Sequence, residues 1–166
     1  MSINRGDNVK ERKGEHPYGD AGQLILLGAF LLIWIADSFF LHASTPRSDY
    51  FPLHVRLPIA GLALLAIFYL QRSGYIAVRQ RGRAILTTGA FQHVRHPLYL
   101  GILLFYFVLV LITASFLSLG LLVAIFAFYD YIAGYEERIM EEKFGDAYRE
   151  YKRQTGKWVP RIGRRS

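Results

Sequence analysis

The chain has no cysteine among its 166 residues. Disulfides, thiolate metal sites and cysteine nucleophiles are therefore excluded. No Gly-x-Gly-x-x-Gly opens a helix, and no Walker loop and no His-Glu-x-x-His occur. A serine–histidine triad has no supporting motif. Between Arg72 and Pro97 there is no acidic residue at all. His93 and His96 stand three apart and would need Glu136 or Glu137 as a third ligand, so no metal is expected. No internal repeat or low-complexity tract appears.

What is present is apolar and unevenly placed. Hydrophobic residues make up 52% of the chain and aromatics 15%, against 20% charged residues with a net charge of +7. Such a composition excludes a disordered chain. The apolar residues lie in long blocks and the charges at the ends and in one central loop, which argues against a soluble layered domain with polar outer faces. The basic balance suits nucleic acid or an anionic membrane surface. The apolar blocks decide for the lipid bilayer, and no nucleic-acid partner is expected.

A crossing needs roughly 20 apolar residues. Residues 22–41 form one block, with Asp37 its only charge, and residues 54–72 form a second. Residues 98–115 and 116–135 run on almost unbroken; as a single helix they would reach about 57 Å, too long for one crossing. Thr113 to Ser118 reads as the turn of a helical hairpin. The expected fold is all-α: a multi-pass membrane protein of about four transmembrane helices, with a leader over 1–21 and a tail helix over about 136–154. A secretory signal is not expected, because the first block follows a charged leader and lacks a small-residue cleavage pattern. The leader carries four Lys or Arg, the first loop and its border two, the central loop five, the hairpin turn none and the tail nine. The positive-inside rule then puts both termini and the central loop in the cytoplasm. Asp37, about a turn inside the outer end of the first span, is expected near the interface and water, with a bundle cavity as the alternative.

In the tail, Glu137, Met140, Phe144, Tyr148 and Tyr151 recur at helical spacing and form one stripe. A carboxylate inside such a stripe calls for a partner. The central loop closes on Gln92-His93-Val94-Arg95-His96-Pro97-Leu98-Tyr99, with Pro97 suited to the first turn of the third span. Cationic and imidazole groups at a helix start suit an anion such as a carboxylate. A hairpin sets this loop beside Glu136 and Glu137. A pocket with one cationic and one anionic wall fits a zwitterion, and an amino acid carrying a sulfonium has that charge pattern.

Arg95-His96-Pro97-Leu98-Tyr99 resembles the Arg-His-Pro-x-Tyr motif of the isoprenylcysteine carboxyl methyltransferase and phospholipid methyltransferase superfamily. Glu136-Glu137, then Phe144-Gly145, Tyr148, Tyr151 and Pro160, is similar to its closing motif. Gly89-Ala90-Phe91 stands where the family often has Gly-Pro-Tyr, and Lys157 stands for the basic residue before the last proline. The resemblance implies an integral membrane methyltransferase dependent on S-adenosyl-L-methionine. It implies cofactor binding by Gln92, His93, Val94, Arg95, His96, Tyr99, Glu136 and Glu137, with Arg95 and Glu137 acting in catalysis. The methyl acceptor would be lipophilic, a carboxylate or a lipid amine or hydroxyl, entering sideways from the bilayer. A membrane reductase of the sterol-reductase type using reduced nicotinamide, and a non-catalytic membrane protein, are the alternatives.

Overall fold

The structure, a computed structural model, describes residues 19–45, 52–79 and 85–161. Most of the expected leader, and Arg47, Arg81 and Arg83, lie outside the described residues. Five helices account for most of the rest: α1 (Gly19–Ile35), α2 (Leu53–Arg79), α3 (Pro97–Thr113), α4 (Phe116–Phe144) and α5 (Asp146–Gln154). A wide π-helical turn, Ala36–Leu41, extends α1, and a short 3-10 turn, Gly89–Gln92, precedes α3.

Three helical stretches are long and apolar enough to cross a membrane: Ala21–Leu41, Leu53–Arg79 and Phe116–Phe144. The fourth apolar helix, Pro97–Thr113, has 17 residues and reaches about 25 Å. Large apolar side chains point outward along α1, α2 and α4; Leu24, Leu32, Leu62, Leu65, Phe68 and Val123 are each at least 64% exposed. Water would not tolerate such a surface, and lipid does. The chain is an all-α, multi-pass membrane protein.

Local chemistry fixes the hairpin. Pro97 occupies the first turn of α3, where its missing N–H costs nothing. Ala114 ends α3 at φ 57°, its N–H on the Val110 carbonyl. Ser115 then caps α4 by accepting the Ser118 N–H at 3.1 Å. The turn expected over Thr113 to Ser118 is therefore where the sequence places it.

Small residues bring α2 against α3. A Cβ on Gly74 would lie 2.7 Å from Leu98, and one on Gly101 2.8 Å from the Gln71 amide. α1 lies on α4, and the core runs between them and α3 through Phe30, Leu103, Tyr106, Val110, Ile125 and Tyr129. The Phe30 and Tyr106 rings meet edge-on at 4.6 Å. α1 and α2 hardly touch, which leaves a cleft between them.

Two expectations are corrected. Asp37 does not face water: it is 1% exposed. It accepts hydrogen bonds from the Ser44 N–H at 3.0 Å and from the hydroxyls of Ser44 and Ser115, each at 2.5 Å. The π-helical turn swings the carboxylate onto the α3–α4 turn, and three donors replace the water it gives up. The tail helix expected over 136–154 is in fact two helices. α4 continues past the membrane to Phe144, because 29 residues reach about 43 Å, well beyond a core of roughly 30 Å. Gly145 breaks the helix at φ 56°, and α5 starts in a new direction. The stripe is split accordingly: Glu137, Met140 and Phe144 lie on α4, Tyr148 and Tyr151 on α5.

Candidate functional site

The loop before α3 is built on Gly89, at φ +60°, where a Cβ would come 2.6 Å from the Ser73 hydroxyl. That close approach lets Ser73 Oγ accept the Ala90 N–H at 2.8 Å and fixes the loop to α2. The chain after α5 then folds over the loop as a strap. Val94 and Gly156 form a parallel backbone bridge, and the Arg95 N–H donates to the Gly156 carbonyl at 2.9 Å. The Tyr151 hydroxyl donates to the Phe91 carbonyl at 2.7 Å. Beyond, Lys157 and Trp158 reach back to α4, donating to Asp130 at 2.5 and 2.8 Å.

Glu137 sits at the centre. It is 6% exposed, and three donors converge on it: Arg95 Nε at 2.8 Å, His96 Nε2 at 3.1 Å and Lys152 Nζ at 3.1 Å. Lys152 also bonds Glu141 at 2.5 Å. Burial alone raises the carboxyl's pKa. Hydrogen bonds from His96 and Arg95, the Arg95 charge and Lys152 outweigh it and hold Glu137 down at about 2. His96 is held below its ordinary value, chiefly by burial, although Glu137 pulls the other way. Lys152 is raised, first by Glu141 and then by Glu137, against some burial. Arg95 spends its Nη1 on the carbonyls of Lys152 and Thr155.

Glu136, one residue earlier, faces a different set. Tyr99 donates to it at 2.5 Å, and His96 Nδ1 lies 3.7 Å from its second oxygen. The rings of His96 and Tyr99 stack at 5.8 Å with only 4° between their planes. The Trp158 ring is 5.8 Å from His96, and that of Tyr129 is 5.3 Å from Tyr99.

Of the residues singled out in the sequence, the fold therefore gathers Arg95, His96, Tyr99, Glu136 and Glu137 into one cluster. Val94 is buried behind them and contributes backbone. Gln92 and His93 stay exposed at the rim, their side-chain nitrogens 3.3 Å apart. Arg95 and Glu137, expected to act on a substrate, are bonded to each other. Lys152, Thr155, Gly156 and Trp158 join the site without any sequence signal that placed them there, whereas Lys157 stands in the closing motif as the basic residue before the last proline.

Next to this cluster, a lateral groove of about 560 Å³ opens where α1 and α2 part. Its walls are Gln23, Leu24 and Leu27 on one side and Ile67 and Gln71 on the other. α3 and α4 close its floor with Gly101, Tyr106 and Tyr129, among others. Tyr129 is shared between the groove and the Tyr99 contact.

No curated protein and no solved structure matches the chain. The model of the phospholipid methyltransferase family matches residues 55–147, from α2 through the loop and hairpin into α5. That is more than half of the chain, and it contains both halves of the cluster; the protein belongs to the phospholipid methyltransferase family, within the superfamily of isoprenylcysteine carboxyl methyltransferase-like membrane enzymes.

Proposed function

We propose that this protein transfers a methyl group from S-adenosylmethionine to a lipophilic acceptor at the cytoplasmic membrane face. One observation supports the reading above the others. Two motifs some forty residues apart meet at one end of the hairpin, with Tyr99 on Glu136 at 2.5 Å and His96 on Glu137 at 3.1 Å. The placement of that end in the cytoplasm rests on the excess of Lys and Arg there.

The donor set fits the group. S-adenosylmethionine carries a carboxylate, an amine, ribose hydroxyls and a sulfonium. The stacked faces of His96 and Tyr99, with Trp158 beside them, suit a sulfonium by cation–π attraction. Glu136, held by Tyr99, suits an amine or a ribose hydroxyl. Gln92 and His93 at the exposed rim suit the carboxylate. When bound, the cofactor supplies a methyl group already activated by its sulfonium. The protein then has to bind, orient and exclude water.

Arg95 and Glu137 take a positioning role in this account. Their ion pair ties loop, α4 and strap together and fixes the His96 ring from its Nε2 side. An acceptor amine or hydroxyl must also lose a proton. His96, kept neutral by burial, and Glu136 are the groups placed to take it.

Isothermal titration of the detergent-solubilised protein with S-adenosylhomocysteine, and separately with reduced nicotinamide cofactor, tests the reading. Saturable heat with the homocysteine analogue alone is expected. Heat with the nicotinamide alone, or with neither, would overturn it.

A further inference from the structure

A second groove lies on another face of α2 from the one that Ile67 and Gln71 line. It holds about 410 Å³ between α2 and the loop at Thr88-Gly89, and shares no lining residue with the cluster around Glu137. Arg72 is its only charged lining residue. Arg72 is exposed and makes no ion pair among the described residues. The other polar side chains are the hydroxyls of Tyr69, Ser73 and Thr88, each able to donate. Ser73 Oγ accepts the Ala90 N–H at 2.8 Å, which leaves its own proton to give. No carboxylate lines the groove, and none occurs between Arg72 and Pro97. The apolar wall is Phe68 and Ile76, one helical turn before and after Arg72, both exposed toward lipid. Tyr69 and Tyr75, also exposed, mark the headgroup level as interfacial aromatics do. Arg72 stands about 10 Å along α2 from its end at Arg79, within reach of that level by its long stem.

We propose that this groove binds an anionic glycerophospholipid as a resident lipid, distinct from any methyl acceptor. Its phosphate sits on the Arg72 guanidinium and the hydroxyls of Tyr69 and Ser73, and an acyl chain runs along Phe68 and Ile76. A guanidinium fork pairs with two phosphate oxygens at once, and the hydroxyls supply the remaining donors. Charge decides the class of head. The ammonium of a zwitterionic lipid would find no carboxylate in the groove, whereas a purely anionic head has no ammonium to place. Two contacts carry the lipid's hold to the loop. Ser73 clamps Ala90, and the Tyr69 ring lies 6.5 Å from that of His93. The lipid therefore braces, from the bilayer side, the loop that leads to Arg95. The site stands independently of the reaction catalysed.

The test is native mass spectrometry of the detergent-solubilised full chain, titrated with dioleoyl phosphatidylglycerol and with dioleoyl phosphatidylcholine, which share chains and phosphate and differ in the ammonium. One phosphatidylglycerol is expected to bind saturably, at least about fivefold more tightly than phosphatidylcholine. Arg72→Gln should weaken phosphatidylglycerol about tenfold, the size of one charge-assisted hydrogen bond. Arg79→Gln removes the same charge from the same helix outside the groove, and should change that affinity by less than about twofold. Both side chains are exposed, so neither substitution should disturb the fold. Phosphatidylglycerol should also raise the melting temperature of the wild type more than that of Arg72→Gln. Equal or tighter binding of phosphatidylcholine, equal losses from the two substitutions, or equal melting shifts would each overturn the assignment, whether or not S-adenosylhomocysteine binds.

Discussion

Replacing Glu137 by Gln should cost about 3 kcal/mol of stability at pH 7, and two independent arguments give that size. Structurally, the change keeps volume and one acceptor oxygen but removes the charge that Arg95, His96 and Lys152 share. Lys152 is 32% exposed and still has Glu141; Arg95 is 9% exposed and keeps only carbonyls. Breaking a buried pair on one side costs about 3–5 kcal/mol, and these fallbacks put the value at the low end. By linkage, the carboxyl falls from an ordinary 4.5 to about 2, which at about 1.4 kcal/mol per pH unit is again about 3 kcal/mol. The sign follows from the depressed value: the stabilisation is complete above pH 4.5 and is lost as pH falls toward 2. His96 adds a separate loss that begins below its ordinary 6.5, because its neutral form is the one folding favours. Unfolding by dodecyl sulfate in mixed micelles, followed by circular dichroism, reads both effects. The gap between wild type and Glu137→Gln should be about 3 kcal/mol at pH 7 and shrink as pH drops below 4.5. A gap under about 0.5 kcal/mol at pH 7, or one independent of pH, would refute the reasoning.

Three further substitutions perturb the strap, the Asp37 clasp and the Tyr99–Glu136 contact. Gly156→Ala would set a Cβ 1.8 Å from the Val159 carbonyl oxygen; it should displace the strap, lower stability by at least about 2 kcal/mol and abolish S-adenosylhomocysteine binding, both measured by thermal shift with and without ligand. Ser115→Ala removes one donor to buried Asp37 and the cap of α4; a loss of about 2 kcal/mol is expected in the same micelle assay, with binding unaffected. Tyr99→Phe takes away the bond to Glu136 but keeps the stacked ring; titration calorimetry should show S-adenosylhomocysteine binding about tenfold weaker, while stability changes by less than about 1 kcal/mol.

The sequence made the membrane fold legible because lipid imposes its own pattern. Blocks of about 20 apolar residues have few other uses, and the Ser115 cap and Pro97 start left visible signs at the hairpin. It also made both halves of the cluster legible, since Arg95, His96, Tyr99, Glu136 and Glu137 stand in two short motifs. What it hid were contacts between residues far apart in the chain. Lys152 and Trp158 reach Glu137 and Asp130 only because Gly145 breaks the helix, and helical spacing alone runs straight through Gly145. The choice between water and the bundle interior for Asp37 is hidden for a similar reason: its depth along α1 fits both, and the π-helical turn that directs it onto Ser115 is announced by no local pattern. Helical periodicity reads faces within one element, whereas the strap and the Asp37 clasp depend on how elements close on each other.

The proposed methyl-donor site is formed by the loop and the paired glutamates and is served from the bilayer. Membranes containing the protein, incubated with S-adenosylmethionine labelled in its methyl group and then extracted into organic solvent, measure that directly. Label is expected in the lipid phase with the wild-type chain, with a loss of at least about tenfold in Tyr99→Phe. Label no higher than in membranes lacking the protein would contradict it.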